Sequence, residues 1–140
     1  YSGFRIAAFE TMEINLEQGF LKGGVKTASG KGRIVPIHPA IFPFVANFRQ
    51  SFPNYRARTF RSNFFYPALK RLGLETSSGG KKHTPHDCRH TFSWLCDKYS
   101  IDELSKHLLM GHSPGKDIEK SVYGHRTFEE LCTEINQIQI

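Results

Sequence analysis

"TPHDCRHTFSWLCDKYSIDELSKHLLMGH", residues 84–112, carries two helix starts and one helix stop, and the rest of the fold is read outward from it. Thr84 is a good N-cap, Pro85 suits the first helical position because its missing N–H has no intrahelical partner there, and Asp87 at the third position favours the helix dipole. Beyond them Cys88, Phe92, Leu95, Cys96 and Tyr99 recur at helical spacing and predict one apolar stripe. His86, Arg89, His90 and Ser93 are then expected on another face, where first-turn N–H groups and cationic side chains converge on one anion. Ser100 and Glu103 read as a second capping box, Ile101, Leu104 and Leu108 as a second stripe, and Gly111 as the residue that stops this helix just before His112.

Downstream, Thr127 and Glu130 read as the capping box of a last helix with a continuous apolar face of Phe128, Leu131, Cys132, Ile135 and Ile138; Tyr123 lies between the last two helices. Upstream, "GFRIAAFETM" (3–12) predicts a short helix. "FLKGGVKTASGKGRIVPIH" (20–38) predicts two or three short strands, with a turn at Ser29–Gly32 and a return strand at Arg33–Val35, as the only β region of the chain. "PAIFPFVANFRQSF" (39–52) and "RTFRSNFFYPALKRLGL" (58–74) read as helices, the second bent near Pro67, and "ETSSGGKKH" (75–83) as a loop. No repeat or linker divides the chain. The expected fold is α+β and mainly α: one helical domain with a small antiparallel β-sheet.

A chain of 140 residues, 39% hydrophobic and with twelve Phe, suffices for one buried core. Its formal charge of +6 is unevenly spread: nine basic residues against two acids from Arg49 to His90, but four against seven acids after Ser100. Arg56, Arg58 and Arg61 interleave with Phe60, Phe64, Phe65 and Tyr66, a mixture that suits nucleic acid as well as a merely solvated basic face. Three cysteines make neither an even disulfide framework nor a CxxC pair, which favours a reduced, intracellular setting. No stretch reads as a signal peptide or membrane span. The first residue is not Met and "YSGFRIAAF" reads as the inside of an element, so a fragment lacking an N-terminal part is expected.

"HDCRH" at a helix start, "MGHS" at the next helix end and "VYGH" soon afterwards stand in the order of the tyrosine recombinase (phage integrase) family, which this chain resembles. The similarity extends to "SGFRIAAF", like the segment of the family's first arginine, and to "VKTASGKGRIVPIH", like its lysine-bearing hairpin. It implies that residues 1–140 are a catalytic domain of the DNA breaking-rejoining enzyme type, without the N-terminal core-binding domain. Arg5 and Arg89 would be the phosphate-binding arginines, His86 and His112 the two histidines, Tyr123 the nucleophile, and Lys26, with Lys31 as alternative, the general acid. The implied partners are double-stranded DNA and other protomers, met through the C-terminal helix, in a bacterial cytoplasm where the DNA-bound protein is nucleoid-associated; neither cofactor nor metal is implied. Ala7 and Ala8 stand where the family often has an acid, with Glu10 further along, and eleven positions separate His112 from Tyr123.

These residue types suit phosphodiester transfer. Two guanidinium forks neutralise the non-bridging oxygens of a pentacovalent phosphorus without metal, and a phenol with a reference pKa of about 10 needs a base or a positive field to attack. His86 is the natural proton acceptor, His112 a donor to a non-bridging oxygen, and Lys26 a donor to the departing 5′-oxygen. Taken singly, Tyr123 would read as a half-buried packing tyrosine, Arg5 as a surface residue and Lys26 as a solvated hairpin lysine; it is their order with Arg89 and His112 that favours chemistry. His90 is assigned to structure under the site and His125 is left open; His83, His107 and the cysteines have no finger spacing, and Cys88 is placed with Cys96 on the apolar stripe, against a metal site. Type IB topoisomerase-like relaxation and a catalytically silent DNA-binding protein are the competing functions.

Overall fold

The computed structural model describes residues 1–24, 30–112 and 126–139; Lys26, Tyr123 and His125 lie outside the described residues. The fold is mixed α/β, about 52% helix, with a small antiparallel sheet of three strands. β1 (Glu13–Asn15), β2 (Phe20–Gly23) and β3 (Arg33–Pro36) lie in that order, with Ile14 opposite Leu21 and Leu21 opposite Val35. Leu21 and Val35 are buried on the face that meets the helices. β1 was not expected. Its signal is the turn after it: the Asn15 carboxamide oxygen accepts from the Gln18 N–H at 2.8 Å, and Gly19 supplies the positive φ of 71° that starts the return.

The helix expected over 3–12 is a single 3-10 stretch, Ile6–Glu10, preceded by an extended Arg5 (φ −75°, ψ 146°). After a second 3-10 turn at Pro39–Ile41 comes α1 (Phe42–Ser51). α2 (Ala57–Phe60) and α3 (Tyr66–Arg71) are joined through a π turn at Arg61–Phe65, in which the Tyr66 N–H reaches back to the Arg61 carbonyl. Pro67 has no N–H to give, and the wider turn just before it is where the expected bend is absorbed. The rings of Phe48, Phe52, Tyr55, Phe60 and Phe64 cluster with centroids 5.1–6.4 Å apart, edge-on or tilted except for Phe60 and Phe64, which stack. The Tyr55 hydroxyl donates to the Ile6 carbonyl at 3.2 Å, and burial holds its pKa up at about 12.

α4 (Pro85–Lys98) begins at Thr84 as expected: the Asp87 carboxylate accepts from the Thr84 N–H at 2.8 Å, and the Asp87 N–H donates to the Thr84 carbonyl at 3.0 Å. Its faces differ from expectation. Arg89, Phe92 and Cys96 form the buried line, while Cys88 is exposed and Leu95 only partly covered. Positions 89, 92 and 96 are as well aligned on a helix as 88, 92 and 96, and Arg89 can occupy the inner line because main-chain carbonyls accept its protons. Ser100 does not open the next helix. It ends α4 in the left-handed region at φ 54°, with the Ile101 N–H returning to the Cys96 carbonyl. The N-cap of α5 (Glu103–Met110) is Asp102, whose carboxylate accepts from the Ser105 N–H at 3.1 Å. Gly111 stops α5 at φ 65° as expected.

α6 (Phe128–Ile135) carries the expected Thr127–Glu130 capping box and packs on β3 and α5 within its own domain. Leu131, Ile135 and Ile138 are buried, Phe128 meets Phe20 edge-on at 6.2 Å, and the His38 ring bonds the Ile138 carbonyl at 2.8 Å. The stripe, expected to pack either within this domain or against a neighbouring protomer, is covered within the domain. No helix among the described residues is long and apolar enough to cross a membrane. Ile135→Ala should lower unfolding free energy by about 2–5 kcal/mol in urea titrations, whereas Trp94→Ala, at a position 57% exposed, should change it by no more than about 0.5 kcal/mol; equal effects would contradict this packing.

Candidate functional site

The Gly3 carbonyl is where three segments meet. It accepts from the Arg89 guanidinium of α4 and, at 3.3 Å, from the Arg33 Nη2 of β3. Gly3 has a φ of 58° and a Cβ there would come within 2.9 Å of the Phe92 ring, so this position needs glycine both for its backbone and for its space. Arg89 also donates from Nη2 to the Met110 carbonyl at 2.6 Å and lies 2.9 Å from His112 Nε2. Although only 6% exposed, it has its donors on carbonyls and an imidazole instead of a carboxylate.

An arginine cannot accept a hydrogen bond, so the Arg89 contact requires His112 Nε2 to carry the lone pair. His112 is then the neutral tautomer protonated on Nδ1, and Nδ1–H is the donor it can offer a ligand. Its pKa is lowered accordingly, first by desolvation and then by the charges of Arg89, His107, Arg5 and Arg33. The ring is exposed overall, with the Nε2 edge turned to Arg89. His86, exposed on α4, also has a lowered pKa, from desolvation, His90, Arg5 and Arg89 against the opposing effect of Asp87. A neutral His86 is able to accept a proton. His90 does not lie beneath the site: it is exposed and meets the His86 ring edge-on at 4.7 Å, because 86 and 90 share one helix face.

Arg5 is half-buried, and its charge bears on Arg33, Arg89, His86 and His112. Arg33 was not anticipated. Burial lowers its pKa to about 10, with Arg89 and Arg5 adding to the effect, so it remains charged at neutral pH. Among the described residues no carboxylate lies within ion-pair distance of Arg5, Arg33 or Arg89. Glu10 is directed away: it accepts from the Ala57 N–H at 2.9 Å and faces Arg56 at 3.9 Å. Three guanidiniums with no carboxylate partner among the described residues leave a positive field that favours an anion.

The structure thus brings together Arg5, His86, Arg89 and His112, and adds Arg33. Lys31 is exposed. Lys26 and Tyr123 fall outside the described residues. Arg33 was legible only as a strand residue, since "GRIVP" at a strand start gives no sign that its side chain turns under the site. Among the described residues no three His, Cys, Asp or Glu side chains gather where a metal ion could be held. Comparison with protein-family models, curated proteins and solved structures finds no match for this chain.

The electrostatics fix a pH dependence. His112 has a lower pKa folded than unfolded, so the stability it contributes is present above its ordinary value of about 6.5 and is lost as pH falls through the folded value. An NMR titration should place the His112 midpoint below that of a free imidazole, and Arg89→Gln should raise it. A native midpoint at or above about 6.5 would contradict the Arg89 contact.

Proposed function

We propose that this domain grips one phosphodiester of double-stranded DNA and transfers it to Tyr123, breaking and rejoining strands as a site-specific recombinase (integrase) does. The observation that carries this reading is the gathering of Arg5, Arg33 and Arg89, with no carboxylate partner among the described residues, beside His86 and His112, whose pKa values are lowered. Arg5 and Arg89 would neutralise the non-bridging oxygens as charge builds on phosphorus, and His112 Nδ1–H would donate to one of them. The Tyr123 oxygen attacks phosphorus, its proton passes to His86, and the bond to the 5′-oxygen breaks as Lys26, or Lys31, supplies that oxygen with a proton. A 3′-phosphotyrosine results, and attack by a 5′-hydroxyl reverses the step. The charge balance over Arg49–His90 and the Arg56, Arg58 and Arg61 cluster suit the polyanionic partner. Contacts with further copies on DNA belong to the same proposal, through surface other than the covered face of α6.

Trapping on a nicked suicide substrate tests the reading. In the full-length protein the wild type should form a covalent protein–DNA adduct, undiminished by EDTA, and Tyr123→Phe should bind the same DNA but form none. Lys26→Ala should be slow on ordinary DNA and recover when sulfur replaces the 5′-bridging oxygen, because a thiolate leaves without protonation; recovery of Lys31→Ala instead would move the acid role along the chain. Adduct formation with relaxation of supercoiled DNA and no strand exchange would assign a topoisomerase. DNA binding with no adduct at all would leave a DNA-binding protein.

A further inference from the structure

Arg33 holds three chain segments with one side chain. Its Nε donates to the Leu109 carbonyl at 3.1 Å, Nη2 to the Gly3 carbonyl at 3.3 Å, and Nη1 to the Gly30 carbonyl at 3.3 Å. The guanidinium carbon lies 3.9 Å from the Phe4 ring centroid, so the planar group is clamped from its face as well as from its edges. Leu109 and Met110 present carbonyls of the last turn of α5, which have no partner inside the helix; Arg33 takes the first and Arg89 the second. The two arginines also share the Gly3 carbonyl. The approach is so close that a Cβ on Gly111 would lie 2.6 Å from Arg33 Nη1.

We infer that Arg33 is a positioning residue of the phosphate pocket: from β3 it fixes the two carbonyls adjoining Arg89, and so sets the spacing between the Arg5 segment and the Arg89–His112 pair. The inference rests on the proposed function. Arg33 spends its donors on main chain, so it contributes alignment, and the shape of its fork matters as much as its charge. Lys keeps the charge and cannot reach three carbonyls at once.

In the full-length protein, Arg33→Gln and Arg33→Lys are compared with wild type for the rate of adduct formation at saturating nicked DNA, for Kd on that DNA and for thermal melting. Misplacing a reacting group by about 1 Å costs on the order of 100-fold in rate, so both variants should lose ~100-fold in adduct rate while Kd moves less than about 3-fold, since phosphate contacts elsewhere dominate affinity. An unchanged rate in Arg33→Gln, full rescue by Lys, or a Kd that weakens in proportion to the rate overturns the positioning role. Absence of a cooperative melt in both variants overturns it too, making Arg33 a residue of the core. Failure of the wild type to form any adduct defeats the recombinase reading itself, and with it this inference.

Discussion

A guanidinium stays charged at every pH a cell meets, so a buried one must be surrounded by acceptors or it unfolds what buries it. Arg89 meets that demand with main chain, bonding carbonyls 86 and 21 residues away in sequence. The start of α4, the segment before Arg5 and the end of α5 are thereby brought to one point. His112 is held there as a neutral ring by the same fork, and Arg33 reinforces the junction from the sheet.

The site is continuous with the core. Phe92, one turn beyond Arg89, fills the space that Gly3 leaves open, and Leu109 and Met110 bury their side chains while offering their carbonyls to the two arginines. The apolar and polar halves of these residues thus serve different purposes at the same positions. This is why two glycines, Gly3 and Gly111, sit at positive φ where guanidiniums and an aromatic ring come close. Side chains there would hold the segments apart and leave Arg89 without acceptors.

Much of this was legible in the sequence because helix ends announce themselves. Thr84, Gly111 and Thr127 each mark a terminus by local chemistry, and each stands where expected. Ser100 misled because one residue type serves two ends: it looks like an N-cap, yet it closes α4 in the left-handed region while Asp102 caps α5. β1 is three residues long, too short for alternation to register, and only its Asn15–Gly19 turn betrays it. Of the candidate site, Arg5, His86, Arg89 and His112 were singled out by the order of their motifs. The burial of Arg89 and the role of Arg33 were not, since helical periodicity sorts residues by polarity and cannot show that distant carbonyls will receive a charged one.

That no carboxylate among the described residues lies within ion-pair distance of Arg5, Arg33 or Arg89 also ties the folding of the domain to the anions around it. Self-repulsion among these groups opposes folding, and an anion held between them offsets it. By mass action, whatever anion occupies the pocket shifts the folding equilibrium by the logarithm of its concentration over its dissociation constant. Under the proposed reading, conformational stability then depends on the medium as well as on the polypeptide: any anion that binds the folded state alone, sulfate or phosphate as much as polynucleotide, would raise it.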